Sequence, residues 1–379
     1  MTDLHLAIKW LLLSILLLSM AIQITYMLRY WTKALRRDGK NDPQESVPEE
    51  SVSVVICARD EEQGLRRSLP PLLNQDYPDY EVVVVDDCSA DGTAEYLESL
   101  REEYPRLKIS RLDIEARFRR GKKLALLIGI KGSSGSIILV TGAGSVPVSP
   151  DWIRLMASRI AGEREVVLGY GAYRAMPGLL NRYIRYESLM TAFQYLGMAR
   201  AGKPYMGVGR NMGYRRPLFL SHNGFSRHYH IAAGDDTLFV NGVATDSNVA
   251  CQTDPASHTR SEPATTTAAF LKQKIGNIKT LPFFKKGDRI RMAAEPATRF
   301  LFYSAAILIA SFGYGWTIAA AAVAARSSLL IAIFAIGSKR FGEKGILLPL
   351  LIFDAIYPLL NGVIYFGTAL RKRRKGEWR

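Results

Sequence analysis

Apolar positions run almost unbroken from residue 10 to residue 28, interrupted only by Ser14, Ser19, Gln23 and Thr25. A helix of that length crosses a hydrocarbon layer of about 30 Å. The basic Arg29, Lys33, Arg36 and Arg37 follow the stretch instead of being confined before it. This order predicts a retained anchor with its carboxyl end in the cytoplasm, and not a cleaved leader. Residues 38–50 are polar, carry two prolines and read as a linker.

The pattern then alternates. β-Branched or apolar runs at 51–58, 81–85, 107–112 and 136–141 predict strands, and helical spacing at 61–74, 94–103 and 122–131 predicts helices between them. Four consecutive valines, Val82 to Val85, suit a strand covered on both faces. The expected fold is α/β, a mainly parallel sheet with helices on both faces. Beyond Met292 the chain turns apolar again. Residues 300–337 allow a tight pair of spans bending at Gly313-Tyr314-Gly315-Trp316, which obliges Arg326 to face protein or snorkel. Residues 346–370 form a further candidate, interrupted by Pro349, Asp354, Pro358 and Asn361. A re-entrant or interfacial last segment would reconcile the basic tail at 371–379 with a cytoplasmic end.

The expected organisation is therefore an anchor with its basic flank at 1–37, a linker at 38–50, a cytoplasmic α/β domain at 51–292, and membrane helices with a basic tail at 293–379. Mean hydropathy near zero hides these opposed regions. The net charge of +15 over 379 residues is concentrated beside the apolar stretches, which suits anionic lipid headgroups better than nucleic acid. Three cysteines, Cys57, Cys88 and Cys251, make no disulfide framework, and the histidines lack tight metal-ligand spacing.

Candidate chemistry begins where the valine strand ends. Asp86 and Asp87 close it and Cys88-Ser89-Ala90-Asp91-Gly92-Thr93 turns away. In open α/β sheets, ligands settle beyond the carboxyl ends of such strands. A competing reading makes these aspartates helix caps, a task that Asp91 or Thr93 performs alone.

Five short pieces, in this order and spacing, resemble the membrane-bound members of glycosyltransferase family 2. They are Val54-Val-Ile-Cys-Ala-Arg-Asp-Glu-Glu62, the Asp86-Asp87 turn, Gly121-Lys122-Lys123, Val208-Gly209-Arg210-Asn211, and Gly234-Asp235-Asp236-Thr-Leu-Phe239. The resemblance implies a GT-A-like domain between membrane helices at both ends. It also implies an enzyme that takes a sugar from a nucleotide diphosphate and inverts its anomeric centre. On that basis Ala58, Asp60, Asp86 and Asp87 would read base and ribose, and Lys122 would face the diphosphate. The base that takes the acceptor proton would be Asp236, with Asp235 second. Gly209, Arg210, Asn211 and Gln273 would lie near acceptor or donor sugar. Each assignment has a plain structural rival: a helix cap for Asp235 and Asp236, a solvated cation for Lys122, a glycine-rich turn for 206–213.

Two positions depart from the family pattern. Gly142 and Gly144 stand where the family carries its metal-binding carboxylates for magnesium or manganese, and glycine offers no side-chain ligand. Gln273 persists from a Gln-x-x-Arg motif, but Gly276 replaces the arginine. Three functions then compete: transfer to a lipid-linked or membrane-proximal acceptor, a degenerate protein that binds nucleotide or a partner, and a processive polysaccharide synthase. The few carboxyl-terminal spans count against the last.

Overall fold

The computed structural model describes residues 3–36, 50–112 and 121–375, with side chains up to Thr368. Most of the proposed linker, and residues 376–379 of the basic tail, therefore lie outside the described residues. The chain forms two compact units. One combines Arg36–Met176 with Met198–Ala264; the other combines Met1–Leu35, Pro177–Gly197 and Thr265–Arg379.

The first unit is built on strands β1 (Val52–Ala58), β2 (Tyr80–Asp86), β3 (Leu107–Arg111), β4 (Ile137–Gly142), β5 (Ser145–Pro147), β6 (Val166–Leu168), β7 (Gly171–Tyr173), β8 (Met212–Arg215), β9 (Val249–Cys251) and β10 (Thr259–Ser261). Seven of them make one sheet in the order β3-β2-β1-β4-β8-β6-β9. β3, β2, β1 and β4 run parallel, and β8 is antiparallel to both β4 and β6. β5, β10 and β7 form a second sheet.

The apolar strand pattern is what buries this sheet. Val54, Ile56, Val82, Val84, Ile137 and Leu139 are fully buried in one cluster with Leu65, Leu69 and Leu72 from the helix Glu62–Leu73 and Trp152 from the helix Trp152–Ala157. Helices Thr93–Leu100 and Lys122–Gly132 complete the alternation. From β1, the chain goes to β2 on one side and, later, to β4 on the other. That reversal opens a crevice beyond the carboxyl ends of β1 and β4, the usual ligand position in such sheets.

The second unit is helical. Asp3–Tyr26 continues through a π-turn at Met27–Trp31 to Ala34, and is followed by Leu179–Arg200, Thr267–Thr280, Lys286–Ser311, Trp316–Phe341 and Leu350–Lys375. Among the described residues, three segments are long and apolar enough to cross a membrane: Leu4–Ala34, Trp316–Phe341 and Leu350–Thr368. The bend expected after residue 312 is present, with Gly313 and Gly315 at φ 69° and 95°. The last segment does not break at Pro358, as its residue pattern had suggested; the helix runs straight through that proline.

Arg326 does not snorkel. Its guanidinium lies 2.6 Å from Asp354 and 2.9 Å from the side-chain oxygen of Gln23. Arg299 approaches Asp354 at 3.1 Å and pairs with Glu295 on its own helix. Tyr303 donates to Asp354 at 2.6 Å. Asp354 thus joins three helices, and two arginines are balanced by two carboxylates away from solvent. This is the arrangement that makes charges tolerable in an apolar bundle.

Candidate active site

The carboxyl end of β1 gathers most of the predicted residues. Ala58 pairs in register with Asp86, and the Ala58 carbonyl accepts from the Asp87 N–H at 2.8 Å. Asp60 has a left-handed backbone, φ 53°, a conformation that aspartate tolerates better than most residues. Its N–H donates to the Ser89 hydroxyl at 3.0 Å, and its carboxylate accepts from the Ala90 N–H at 2.7 Å. The loops following β1 and β2 are thereby clasped together.

Asp86 accepts the Ser89 N–H at 3.0 Å and its hydroxyl at 2.5 Å, which fixes the turn. The helix beyond that turn is served by Asp91, which accepts from the Thr93 N–H at 3.0 Å. Asp86 and Asp87 are therefore not needed as its caps. Asp87 is only 3% exposed, one of its oxygens has no hydrogen-bond partner among the described residues, and Arg59 lies 3.9 Å from the other. Burial, with Asp86 beside it, pushes the Asp87 carboxyl above the usual range although Arg59 opposes the shift. A buried carboxylate oxygen without a donor suits a ligand hydroxyl or N–H.

Lys122 opens its helix and extends back over the same crevice, where its ammonium lies 2.6 Å from Asp235. Burial disfavours the charge on Lys122, but Asp235 and Asp236 outweigh it and hold the pKa above the ordinary lysine value. Asp236 accepts two backbone donors, Gly209 N–H at 2.8 Å and Thr237 N–H at 2.6 Å, and so caps the helix Thr237–Val243. Gly209 permits this approach, since a Cβ there would stand 3.2 Å from the Asp236 side chain. The cap does not exhaust Asp236, because each carboxylate oxygen keeps a second lone pair. Burial and the neighbouring Asp235 raise the Asp236 pKa; Lys122 and the two N–H donors oppose this without cancelling it.

One half-buried thiol lies between the two halves of the site. Cys57, next to last in β1, is pushed up to about 12 chiefly by burial, and it also feels Lys122, Asp87, Asp235 and Asp86. The charges of all four groups therefore reach the end of one strand, although Asp87 and Asp235 are far apart in sequence.

Other expected residues sit differently. Asn211 is fully buried, and its amide is spent on Trp152, the Tyr170 carbonyl and the Ser257 carbonyl at 2.8–3.0 Å. It braces the loop from within. Arg210 stacks on Tyr173 at 4.1 Å and donates to the Gly171 carbonyl at 2.8 Å. Gln273 is exposed on the helix Thr267–Thr280 in the helical unit. Two residues were passed over in the sequence. Arg59 lies inside a quoted motif, and Lys123 donates to the His228 and Ile231 carbonyls at 2.6 and 2.8 Å, anchoring the loop that leads to Asp235.

The donor set does not fit a divalent cation. A Cβ at Gly142 would stand 2.8 Å from the Ser145 hydroxyl, which is itself 2.6 Å from that of Ser261. Gly144 lies against Gly64, and Ser68 donates to the Ala143 carbonyl. The turn is packed closely on the helix and brings no carboxylate. Among the described residues, no group of three or more His, Cys, Asp or Glu side chains is arranged to hold a metal ion.

This geometry meets a family match at the same place. Residues 53–221 match the model of glycosyl transferase family 2. They form a family 2 glycosyltransferase domain. A probable glycosyltransferase of Bacillus subtilis, YdaM, is 31% identical over 156 residues, 40% of this chain and 36% of that protein. The beta-monoglucosyldiacylglycerol synthase of Synechocystis is 29% identical over 143 residues, 37% of this chain and 28% of its own length. The transferase match thus spans about a third of these relatives. In fold, the chain is similar to the mannosyltransferase PcManGT of Pyrobaculum calidifontis, solved with GDP-Man and Mn2+. The TM-score is 0.59 at 21% identity, covering 92% of this chain and 99% of that one. Association of the chain with a membrane agrees with its three candidate spans.

Proposed function

We propose that this transferase moves a sugar from a nucleotide-diphosphate donor to a lipid-linked or membrane-proximal acceptor, with inversion, on the cytoplasmic side and without a resident divalent cation. The observation that carries the reading is the placing of Asp86 and Asp87 against Ala58 at the end of β1, with the Lys122–Asp235 pair close enough for its charges to act on Cys57 and with Asp236 adjoining. Asp87 has an open acceptor for the nucleoside. Lys122 supplies charge to the diphosphate. Asp236 takes the proton of the acceptor hydroxyl as its oxygen bonds to the anomeric carbon, and the bond to the phosphate oxygen breaks with its electron pair leaving on the nucleotide. Among relatives, the diacylglycerol glycolipid synthases favour a lipid acceptor, and PcManGT favours a nucleotide-sugar donor. Arg29, Lys33 and Arg36, which close the first span, favour the cytoplasmic side.

A second reading, a nucleotide-binding protein without turnover, is favoured by Gly142 and Gly144 and by the cap that occupies Asp236. Full-length protein in detergent with bilayer lipid and a panel of nucleotide-diphosphate sugars separates the two. The expected result is release of nucleoside diphosphate and a lipid product of inverted anomeric configuration, at the same rate with EDTA as with manganese. Binding without product supports the second reading, and a strict need for manganese overturns the metal-free site.

A further inference from the structure

We infer that the guanidinium groups of Arg67 and Arg174 stand in for a divalent cation at the end of β4, binding the donor's diphosphate beside the turn at 142–144. This deepens the donor reading above and rests on it. The residues involved all belong to the α/β unit.

Strand register brings them to the turn. In the second sheet, Ser261 of β10 pairs with Ser145 of β5 on one side and with Tyr173 of β7 on the other. One step further along both pairings, Glu262 stands level with Gly144 and with Arg174. The ladder to Arg174 does continue, since the Arg174 N–H donates to the Ser261 carbonyl at 2.8 Å. Arg67 arrives from the helix Glu62–Leu73. Gly64 and Ser68 seat that helix on the turn, Gly64 against Gly144 and Ser68 donating to the Ala143 carbonyl, and Arg67 lies between them in sequence. Both guanidiniums meet the same oxygen of Glu262, Arg174 at 3.1 Å and Arg67 at 3.7 Å.

These contacts favour an anion over a cation. A divalent cation takes carboxylate ligands, but the carboxylate that the register brings to Gly144 is engaged by two arginines. A guanidinium has five N–H donors, and Glu262 meets Nε of Arg67 and Nη1 of Arg174. Each can therefore hold Glu262 and a phosphate oxygen together, and its planar fork matches phosphate geometry. The turn also lies on the donor's course. Cys57 of β1 pairs with Val85 of β2 and with Gly142 of β4, so Gly142 is two strand spacings, about 10 Å, from the strand that ends in Asp86 and Asp87. A nucleoside held at Asp87 thus directs its diphosphate across β1 toward β4. There the two arginines join Lys122 in stabilising the charge of the departing diphosphate. The rival is a cation held by Glu262 and Glu61, whose carboxylate lies against Gly64.

The test is calorimetry on the full-length protein with UDP, GDP, ADP, CDP and dTDP and the matching nucleosides, in EDTA and again with manganese. Native protein is expected to bind at least one diphosphate in EDTA, more tightly than its nucleoside. Arg67 and Arg174 are exposed and their ion pairs lie at the surface, so replacing them leaves the fold intact. Arg67→Ala with Arg174→Ala is expected to weaken that diphosphate by about tenfold or more and to leave the nucleoside unchanged. Arg67→Lys with Arg174→Lys keeps part of the affinity, and added guanidinium ion restores part of it to the alanine variant. Equal diphosphate affinity in native and alanine proteins, or an equal loss for diphosphate and nucleoside, overturns the inference and leaves the donor reading intact. Diphosphate binding that requires manganese assigns the turn to a cation and overturns it too. If no diphosphate and no nucleoside binds under either condition, the donor reading itself fails and the inference with it.

Discussion

Asp236→Asn is expected to lower turnover by about 10²–10⁴-fold while changing donor binding little, the usual loss for removal of a positioned general base. Asparagine is isosteric and among the best helix caps, so the bond to the Thr237 N–H survives and the helix Thr237–Val243 keeps its start. The Gly209 N–H loses its acceptor, a loss of about 1 kcal/mol that the folded domain tolerates. A base must be deprotonated to act. Burial and Asp235 raise the Asp236 pKa, so the native rate falls on the acid side at a higher pH than a free aspartate would give. The variant should lose that acid limb together with the rate. Initial rates across pH, with donor affinity measured in parallel, check both features. A variant that turns over normally removes Asp236 from the chemistry and leaves it as a cap.

Asp354→Leu is expected to destabilise the helical unit by about 3–5 kcal/mol, the range for removing one partner of a buried ion pair. The native carboxylate lies between Arg326 at 2.6 Å and Arg299 at 3.1 Å, and it accepts from Tyr303. Without it, Arg299 keeps Glu295, but among the described residues Arg326 retains Gln23, Tyr303 and the face of Phe302, none of which carries charge. Adding Arg326→Met should recover part of the loss because the stranded charge is gone. Unfolding midpoints in detergent for the two single variants and the double variant form a cycle. Strict additivity would contradict the pairing.

Parts of this chain were legible in its residues alone. The strands β1, β2 and β4 and the helices between them arise from apolar runs and helical spacing, because each buries enough surface to impose its period on the sequence. β6, β8 and β9 span only three or four residues, and β6 pairs with a strand some eighty positions later, so no local period announces them. Arg326 and Asp354 each stood out as costly in an apolar helix, but their pairing depends on how separate helices meet. Pro358 looked like a break, yet the surrounding helix continues through it.

The site divides in the same way. The placing of Asp86 and Asp87 was legible because they close a buried strand, whose carboxyl end is the usual ligand position in such sheets. The partnership of Lys122 with Asp235 was not, since an exposed lysine and a poised one read alike. The bonds of Asn211 to Trp152 and two carbonyls were not legible either, since those partners lie 41 to 59 positions away along the chain.

The central claim is that carboxylates and a lysine from distant parts of the sequence form one metal-free donor pocket. Titration of nucleotide-diphosphate sugars into the full-length protein, with EDTA present throughout, tests it most directly. The account predicts that at least one sugar nucleotide binds, and that Asp87→Ala weakens it about tenfold by removing the open acceptor. Failure of every donor to bind, or binding indifferent to Asp87, would contradict it.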